Sequence, residues 1–322
     1  MKAVVYHEFG PADVLKCEDV PKPAPKENEV LIKVRAASIN PLDWRMMKGE
    51  PRFVRLIARL WRMTGRMGVD VAGEVEAIGP NVKAFKPGDK VFGTCRGAFA
   101  DYACTPESKV APIPDKVTFE QAASVNVAGL SALQGLRDRA RIQRGEKVLI
   151  NGAAGGVGTF AVQIAKTLGA EVTGVCSTRN VEMVKSIGAN AVIDYTKEDF
   201  SKLGKCYDVI FDCIGNKSHS ECRRVLNPKG RLILVGAPHD PKLIDIVAPL
   251  IKAVLSSPFM SRKVLPFIGK ANKEDLSFIA ELIATGKITP VIDRCYSFNE
   301  AADAVRYVEK GHARGKVLLV PA

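Results

Sequence analysis

The sequence has little of what builds metal knots, disulfide frameworks or membrane spans. Its eight cysteines, at 17, 95, 104, 176, 206, 213, 222 and 295, include no CxxC pair and form no tight cluster with any of the four histidines. That argues against a disulfide scaffold and a zinc knot, and for reduced thiols, most of them buried. The longest apolar stretch, residues 243–260, is interrupted by Asp245 and Lys252 and falls short of the roughly 20 apolar residues that a span needs. It reads as a core helix plus loop. The N-terminal apolar run breaks after a few residues, so neither a signal peptide nor a transit peptide is expected and a cytoplasmic location is the default. Aromatic residues make up 7% of the chain and no aromatic-basic nucleic-acid module is visible, so no nucleic-acid partner is expected. Charge, by contrast, is unbalanced: 47 Lys and Arg against 35 Asp and Glu leave a formal +12. Such an excess suits a polyanionic partner, of which an anionic dinucleotide is the simplest, and says nothing about fold.

What is present is a globular chain of 322 residues, 47% hydrophobic, long enough for two domains. From residue 2 to about 117 it runs in short apolar segments, such as 30–34, 71–78 and 90–92, cut by turns such as Gly79-Pro80-Asn81 and Pro87-Gly88-Asp89. This is the punctuation of an all-β domain. From about residue 120 strands and helices alternate, with strands expected at 147–151, 171–176, 191–194, 208–213 and 231–235, which predicts parallel βαβ units. After about residue 266 come a helix over 273–285, a further strand, a closing helix over 299–310 and a terminal strand over 316–320.

Residues 148–166 carry the sharpest signal. A hydrophobic strand ending at Asn151 leads through Gly152-Ala153-Ala154-Gly155-Gly156-Val157-Gly158 into an amphipathic helix. Glycines there let the backbone turn sharply, let a pyrophosphate approach the main chain, and let helix pack on strand. The helix N-terminus supplies free N–H groups and partial positive charge. A flexible loop is the bland alternative, and the strand before and helix after argue against it. An NAD-binding unit places Asp or Glu at the end of its second strand to hold the ribose 2′-hydroxyl. Here that strand ends Cys176-Ser177-Thr178-Arg179-Asn180, without a carboxylate. Ser177 and the Arg179 guanidinium stand where a 2′-phosphate would sit, which points to NADPH. The competing reading is that Arg179 is a solvated first-turn arginine.

Several phrases, in order, resemble one family: Ala37-Ser-Ile-Asn-Pro-Leu-Asp43, Gly68-Val-Asp-Val-Ala-Gly-Glu-Val75, the run 82–93, Ala128-Gly-Leu-Ser-Ala-Leu133, the glycine turn, Gly188-Ala-Asn-Ala-Val-Ile-Asp-Tyr195 and Gly311-His-Ala-Arg-Gly-Lys316. The chain resembles the zinc-free quinone oxidoreductase, zeta-crystallin-like branch of the medium-chain dehydrogenase/reductase superfamily. The resemblance implies an α/β protein with a β-rich GroES-like catalytic domain from residues 1–120 and 266–322, wrapped around a doubly wound, parallel-sheet Rossmann domain at 121–265. It also implies a homodimer built by edge strands of the Rossmann sheets. The zinc alcohol dehydrogenases of that superfamily hold their catalytic metal through Cys, His and Cys. By motif alignment those places hold Asn40, Val69 and Ala128 here, and the proton-relay hydroxyl falls on Leu42. No metal is therefore expected.

Without a Lewis acid, charge arriving with a hydride must be met by hydrogen-bond donors, and a quinone or an α,β-unsaturated carbonyl spreads that charge toward one oxygen. The resemblance implies Asn40 and Tyr195 as catalytic candidates, Tyr195 lying toward the cofactor. It implies Gly152, Ala154, Gly155, Gly156, Val157 and Gly158 at the pyrophosphate, and Ser177 and Arg179 at the adenosine phosphate. Gly215 and Gly236 would stand at later strand ends by the cofactor, and Lys316 on the diphosphate side. Asn40 has a structural alternative, since Asn40-Pro41 followed by Asp43 reads as N-cap, first-turn proline and third-position carboxylate of a short helix. The expected activity is NADPH-dependent reduction of a small quinone or enone. A 2-alkenal or enoyl-thioester reductase, and a non-catalytic NADPH-binding sensor or structural protein, are the rival readings.

Residues 51–66 depart from the family text. Arg52, Arg55, Arg59, Arg62 and Arg66 recur at helical spacing, with Phe53, Ile57, Leu60 and Trp61 largely opposite. Three readings stand open: a lid whose apolar face walls the acceptor pocket, an interfacial helix making weak contact with an anionic membrane surface, and a solvated basic face.

Overall fold

Two rhythms of burial organise the chain, one of period two in its first third and one of strand and helix in alternation through its centre. The computed structural model describes residues 1–50, 65–235, 262–267 and 269–321. Most of the arginine-striped segment (51–64) and Gly236 lie outside the described residues. In chain order the strands are β1 (Lys2–Val5), β2 (Lys16–Asp19), β3 (Glu29–Ser38), β4 (Asp70–Ile78), β5 (Lys90–Thr94), β6 (Tyr102–Pro106), β7 (Val110–Pro112) and β8 (Lys147–Asn151). They continue with β9 (Glu171–Cys176), β10 (Ala191–Asp194), β11 (Tyr207–Asp212), β12 (Leu226–Leu234), β13 (Lys263–Pro266), β14 (Ile292–Ser297) and β15 (Lys316–Val320).

The described chain divides into two compact units, one of Met1–Val127, Ala271–Gly286 and Pro290–Ala322, the other of Ala128–Lys270 and Lys287–Thr289. In the first, a mostly antiparallel sheet runs β14-β15-β3-β4-β5-β7, with β6 also on β3. Alternation along β3 puts Val30, Ile32 and Val34 into a core shared with Val71, Val75, Val91, Phe99 and Val317. Helix α1 (Pro41–Lys48) leaves the end of β3 and buries Trp44 and Met47 in that core. Further on come α2 (Phe119–Ala123) and α3 (Asn126–Gln134).

In the second unit six parallel strands run β10-β9-β8-β11-β12-β13. Counted within the unit that is 3-2-1-4-5-6, the doubly wound order, whose direction reverses between β8 and β11. Near-continuous burial of β8 and β11 follows from cover on both faces. Helix α4 (Gly156–Thr167) follows β8, and the short α5 (Val181–Ser186) follows β9.

The sequence reading turns from one domain to the other near 120 and 266; the compact units divide at 127/128 and 270/271, and residues 287–289 return to the second. Hydrogen bonds explain each difference. Asp70 Oδ1 accepts from Asn126 Nδ2 at 2.8 Å and from the Val127 N–H at 3.3 Å, which ties the start of α3 to the first unit. Gln134 Nε2 donates to the Lys270 carbonyl at 2.8 Å and its Oε1 accepts from the Lys270 N–H at 2.9 Å. Gln163 clasps Thr289 in the same way, at 3.0 and 2.7 Å. Each glutamine stands in for a strand neighbour, satisfying both polar groups of a peptide that has no ladder.

Candidate functional site

The second unit carries the glycine turn at its sheet's switch point. Gly152 has φ +84°, and a Cβ there would lie 2.7 Å from Ile214 Cδ1. At Gly158 a Cβ would stand 2.0 Å from the Gly152 carbonyl oxygen, so only glycine lets α4 begin this close to the turn. Gly155 is the N-cap of α4 and no side chain caps the helix, which leaves its first N–H groups, from Gly156, Val157 and Gly158, for another acceptor. Ala154 is buried beside them. The neighbouring strand end is built around Asp212, whose buried carboxylate accepts from Asn151 Nδ2 and from the N–H groups of Ile214 and Gly215 at 2.9 to 3.0 Å. Asn151 Nδ2 also reaches Asn216 Oδ1 at 2.9 Å, so the two loops flanking the switch point are stitched together.

At the end of β9, Ser177 is half-buried and Arg179 exposed. Tyr195, 55% exposed, follows β10 and donates its N–H to the Cys176 carbonyl at 3.0 Å, which brings Ser177, Arg179 and Tyr195 to one sheet edge. A carboxylate does stand there, on the adjacent strand. Asp194 accepts from the hydroxyl of Thr178 at 2.6 Å and from the N–H and hydroxyl of Thr196 at 3.0 and 2.7 Å. Those bonds, the Thr178 hydroxyl first, hold its pKa down to about 2.

The first unit holds a buried polar network that sequence reasoning missed. Its hub is Asp70, fully buried at the start of β4. Besides Asn126 and Val127, Asp70 Oδ2 accepts from Ser38 Oγ at 2.7 Å and Asn40 Nδ2 at 2.9 Å, and Lys316 Nζ lies 3.6 Å away. Asn40 lies two residues past the end of β3 as the N-cap of α1, where its N–H donates to Asp43 Oδ2 at 2.7 Å. Lys316 opens β15 and donates to Asn40 Oδ1 at 2.7 Å and to the Ile39 carbonyl at 3.4 Å.

Two expectations change here. Asn40 has both side-chain N–H groups engaged, by Asp70 and by the Ser38 carbonyl at 3.3 Å, so it offers no free donor to an acceptor's oxygen. Lys316 is 3% exposed, and its ammonium is held within this network rather than presented to a diphosphate. Burial lowers its pKa against the opposing pull of Asp70 and Asp43. Two buried carboxylates share this one ammonium. Burial, with Asp70 nearby, raises Asp43 to about 7, so near neutrality the network holds a proton. Among the described residues no group of three or more His, Cys, Asp or Glu side chains is placed to hold a metal ion. Burial pushes two thiols of the first unit up, Cys104 to about 11 and Cys95 further. Among the described residues no helix is long and apolar enough to cross a membrane.

The profile of the alcohol dehydrogenase GroES-like domain matches residues 26–115, and that of a zinc-binding dehydrogenase matches 187–319. A chloroplast envelope quinone oxidoreductase homolog of Arabidopsis thaliana is 35% identical over 100% of this chain and 98% of its own. The chain belongs to the quinone oxidoreductase, zeta-crystallin-like branch of the medium-chain dehydrogenase/reductase superfamily. Within that branch, an Arabidopsis NADPH-dependent alkenal/one oxidoreductase is 34% identical over 100% of this chain and 80% of its own. The solved structure of the quinone oxidoreductase from Coxiella burnetii superposes with a TM-score of 0.89 at 32% identity, covering 100% of this chain and 99% of that one. This member of the branch is thus a quinone oxidoreductase-like enzyme that uses a nicotinamide cofactor.

Proposed function

We propose that the chain is an NADPH-dependent reductase that delivers a hydride to a quinone or an α,β-unsaturated carbonyl without a catalytic metal. The observation that carries this reading is the network of Asn40, Asp70 and Lys316. Where the metal-dependent members of the superfamily need ligands, this chain has a hydrogen-bonded amide at Asn40 and hydrocarbon at Val69 and Ala128. The Asn40 side-chain oxygen, the atom that could face a metal, already accepts from the Lys316 ammonium.

The residues present fit the cofactor. The turn at Gly152, Gly155, Gly156 and Gly158 has no side chain where a pyrophosphate must approach, and the uncapped start of α4 offers N–H groups to it. Ser177 and Arg179 offer a hydroxyl and a guanidinium to a 2′-phosphate, while Asp194, on the neighbouring strand, already accepts from Thr178 and Thr196. NADPH, when bound, supplies the hydride. The chain's own part is to orient the reactants and manage charge. The network of the first unit carries no net positive charge, which suits an acceptor that delocalises the incoming electrons over its own conjugated system. Asp43 keeps a proton in that network near neutral pH. The alkenal/one oxidoreductase among the relatives supports including enones beside quinones.

The test is an acceptor panel of quinones, enones and 2-alkenals with NADPH, read as loss of reduced nicotinamide absorbance, beside saturated alcohols with NADP+, read as its gain, each with and without a strong chelator. Turnover of conjugated acceptors that survives the chelator supports the reading. A chelator-sensitive alcohol dehydrogenase activity overturns it, and binding of NADPH with no turnover of any acceptor favours a sensor or structural role.

A further inference from the structure

The turn after β9 contains more hydrogen-bonding groups than the fold uses. Ser177 and Asn180 are both capping residue types and both stand at helix starts, Ser177 before the single 3-10 turn Thr178–Asn180 and Asn180 before α5. Neither side chain caps its helix. Asn180 turns back instead, and its Nδ2 donates to Ser177 Oγ at 3.2 Å. Its own Oδ1 is buried with no partner among the described residues. A bare acceptor in the interior opposes folding, so stability alone does not account for an asparagine here.

The bond has a directional consequence. A serine hydroxyl has one hydrogen and two lone pairs, and Asn180 engages the oxygen as an acceptor. The hydrogen of Ser177 then points away from Asn180. The neighbouring hydroxyl, on Thr178, is already given to Asp194, so Ser177 is the hydroxyl at this strand end left to donate outward. We propose that Asn180 is a specificity-determining positioning residue, holding the Ser177 hydroxyl as a standing donor toward the 2′-phosphate of NADPH. It touches no part of the cofactor and acts through Ser177. The inference rests on the NADPH reading above and adds to it the residue that makes Ser177 selective.

The experiment measures dissociation constants of NADPH and NADH, by nicotinamide fluorescence, for the wild type, Asn180→Leu, Ser177→Ala and the double variant, with Asn180→Ala as a second choice should the leucine variant fail to fold. Loss of one hydrogen bond's discrimination predicts that Asn180→Leu lowers the NADPH-over-NADH preference about five- to tenfold, with NADH affinity held within about twofold. Because Asn180 acts through Ser177, the double variant should be no less selective than Ser177→Ala alone. Equal weakening of both dinucleotides by the Asn180 variants, an unchanged preference, or additive losses in the double variant each overturn the proposal. A wild type that binds both cofactors equally overturns the NADPH reading itself, and with it this inference, before any variant is measured.

Discussion

Replacing Asp43 with asparagine should flatten the dependence of stability on pH between 5 and 8. Asp43 is buried beside Asp70, and burial raises its pKa from 3.8 to about 7. A carboxyl with a folded pKa above its unfolded value binds its proton more tightly in the native state. The stability it contributes is therefore complete below about pH 4 and is lost as pH rises through about 7. A shift of roughly three units, at about 1.36 kcal/mol each, amounts to about 4 kcal/mol in all, of which about 2 to 3 kcal/mol falls between pH 5 and 8. Asparagine keeps an oxygen to accept the Asn40 N–H, now bonded at 2.7 Å, but has no proton to lose. Its extra N–H groups impose a cost of about 1–3 kcal/mol that does not vary with pH. Urea unfolding followed by tryptophan fluorescence at pH 5, 6, 7 and 8 separates the two effects. The variant should be less stable than the wild type at pH 5 and should gain on it steadily up to pH 8. Parallel stability curves for the two proteins would refute the assignment of that proton to Asp43.

Three further outcomes follow from the same geometry. Arg179→Ala should erode the preference for NADPH over NADH by about one to two decades, the cost of one charge-assisted hydrogen bond of roughly 1.5–3 kcal/mol, read from paired dissociation constants. Gly158→Ala should abolish dinucleotide binding or folding, because the added methyl would lie 2.0 Å from the Gly152 carbonyl oxygen; a variant that binds NADPH normally by calorimetry would contradict the packing described. Gln163→Ala strips both partners from the Thr289 peptide and should lower unfolding stability by about 1–3 kcal/mol, with hydrogen exchange at residue 289 rising first.

The doubly wound unit was legible because its signals are local. The strand before Gly152, the helix after it and the apolar runs at 171–176 and 191–194 are bounded by turn residues, and β8, β9 and β10 occupy those spans. β12 was harder. Asn227-Pro228-Lys229-Gly230 reads as a turn, yet the strand begins at Leu226, which pairs with Tyr207 across an irregular register while Asn227 bonds Asp208. The polar network of the first unit was not legible at all. Asp70 sits inside the strand-like run Val69-Asp-Val-Ala72, and its partners Asn40 and Asn126 lie 30 and 56 residues away. The pairing of β3 with β4 brings Asn40 beside Asp70, and the start of α3 brings Asn126; no local pattern encodes either. Asn40 could be picked out from the Asn-Pro motif, but not the fact that Asp70 and Ser38 occupy its amide. Asp194 escaped notice for a similar reason, since it reaches the end of β9 from the neighbouring strand.

The central claim is hydride delivery to a conjugated carbonyl, and isotope transfer tests it most directly. NADPH carrying deuterium at C4 of the nicotinamide would be incubated with the enzyme, a strong chelator and an α,β-unsaturated ketone, and the saturated product examined by mass spectrometry and NMR. The account predicts one deuterium per product molecule, at the β-carbon, from one of the two C4 epimers of the labelled cofactor. Oxidation of NADPH without deuterium in the product, or no reduction of the enone until zinc is restored, would contradict it.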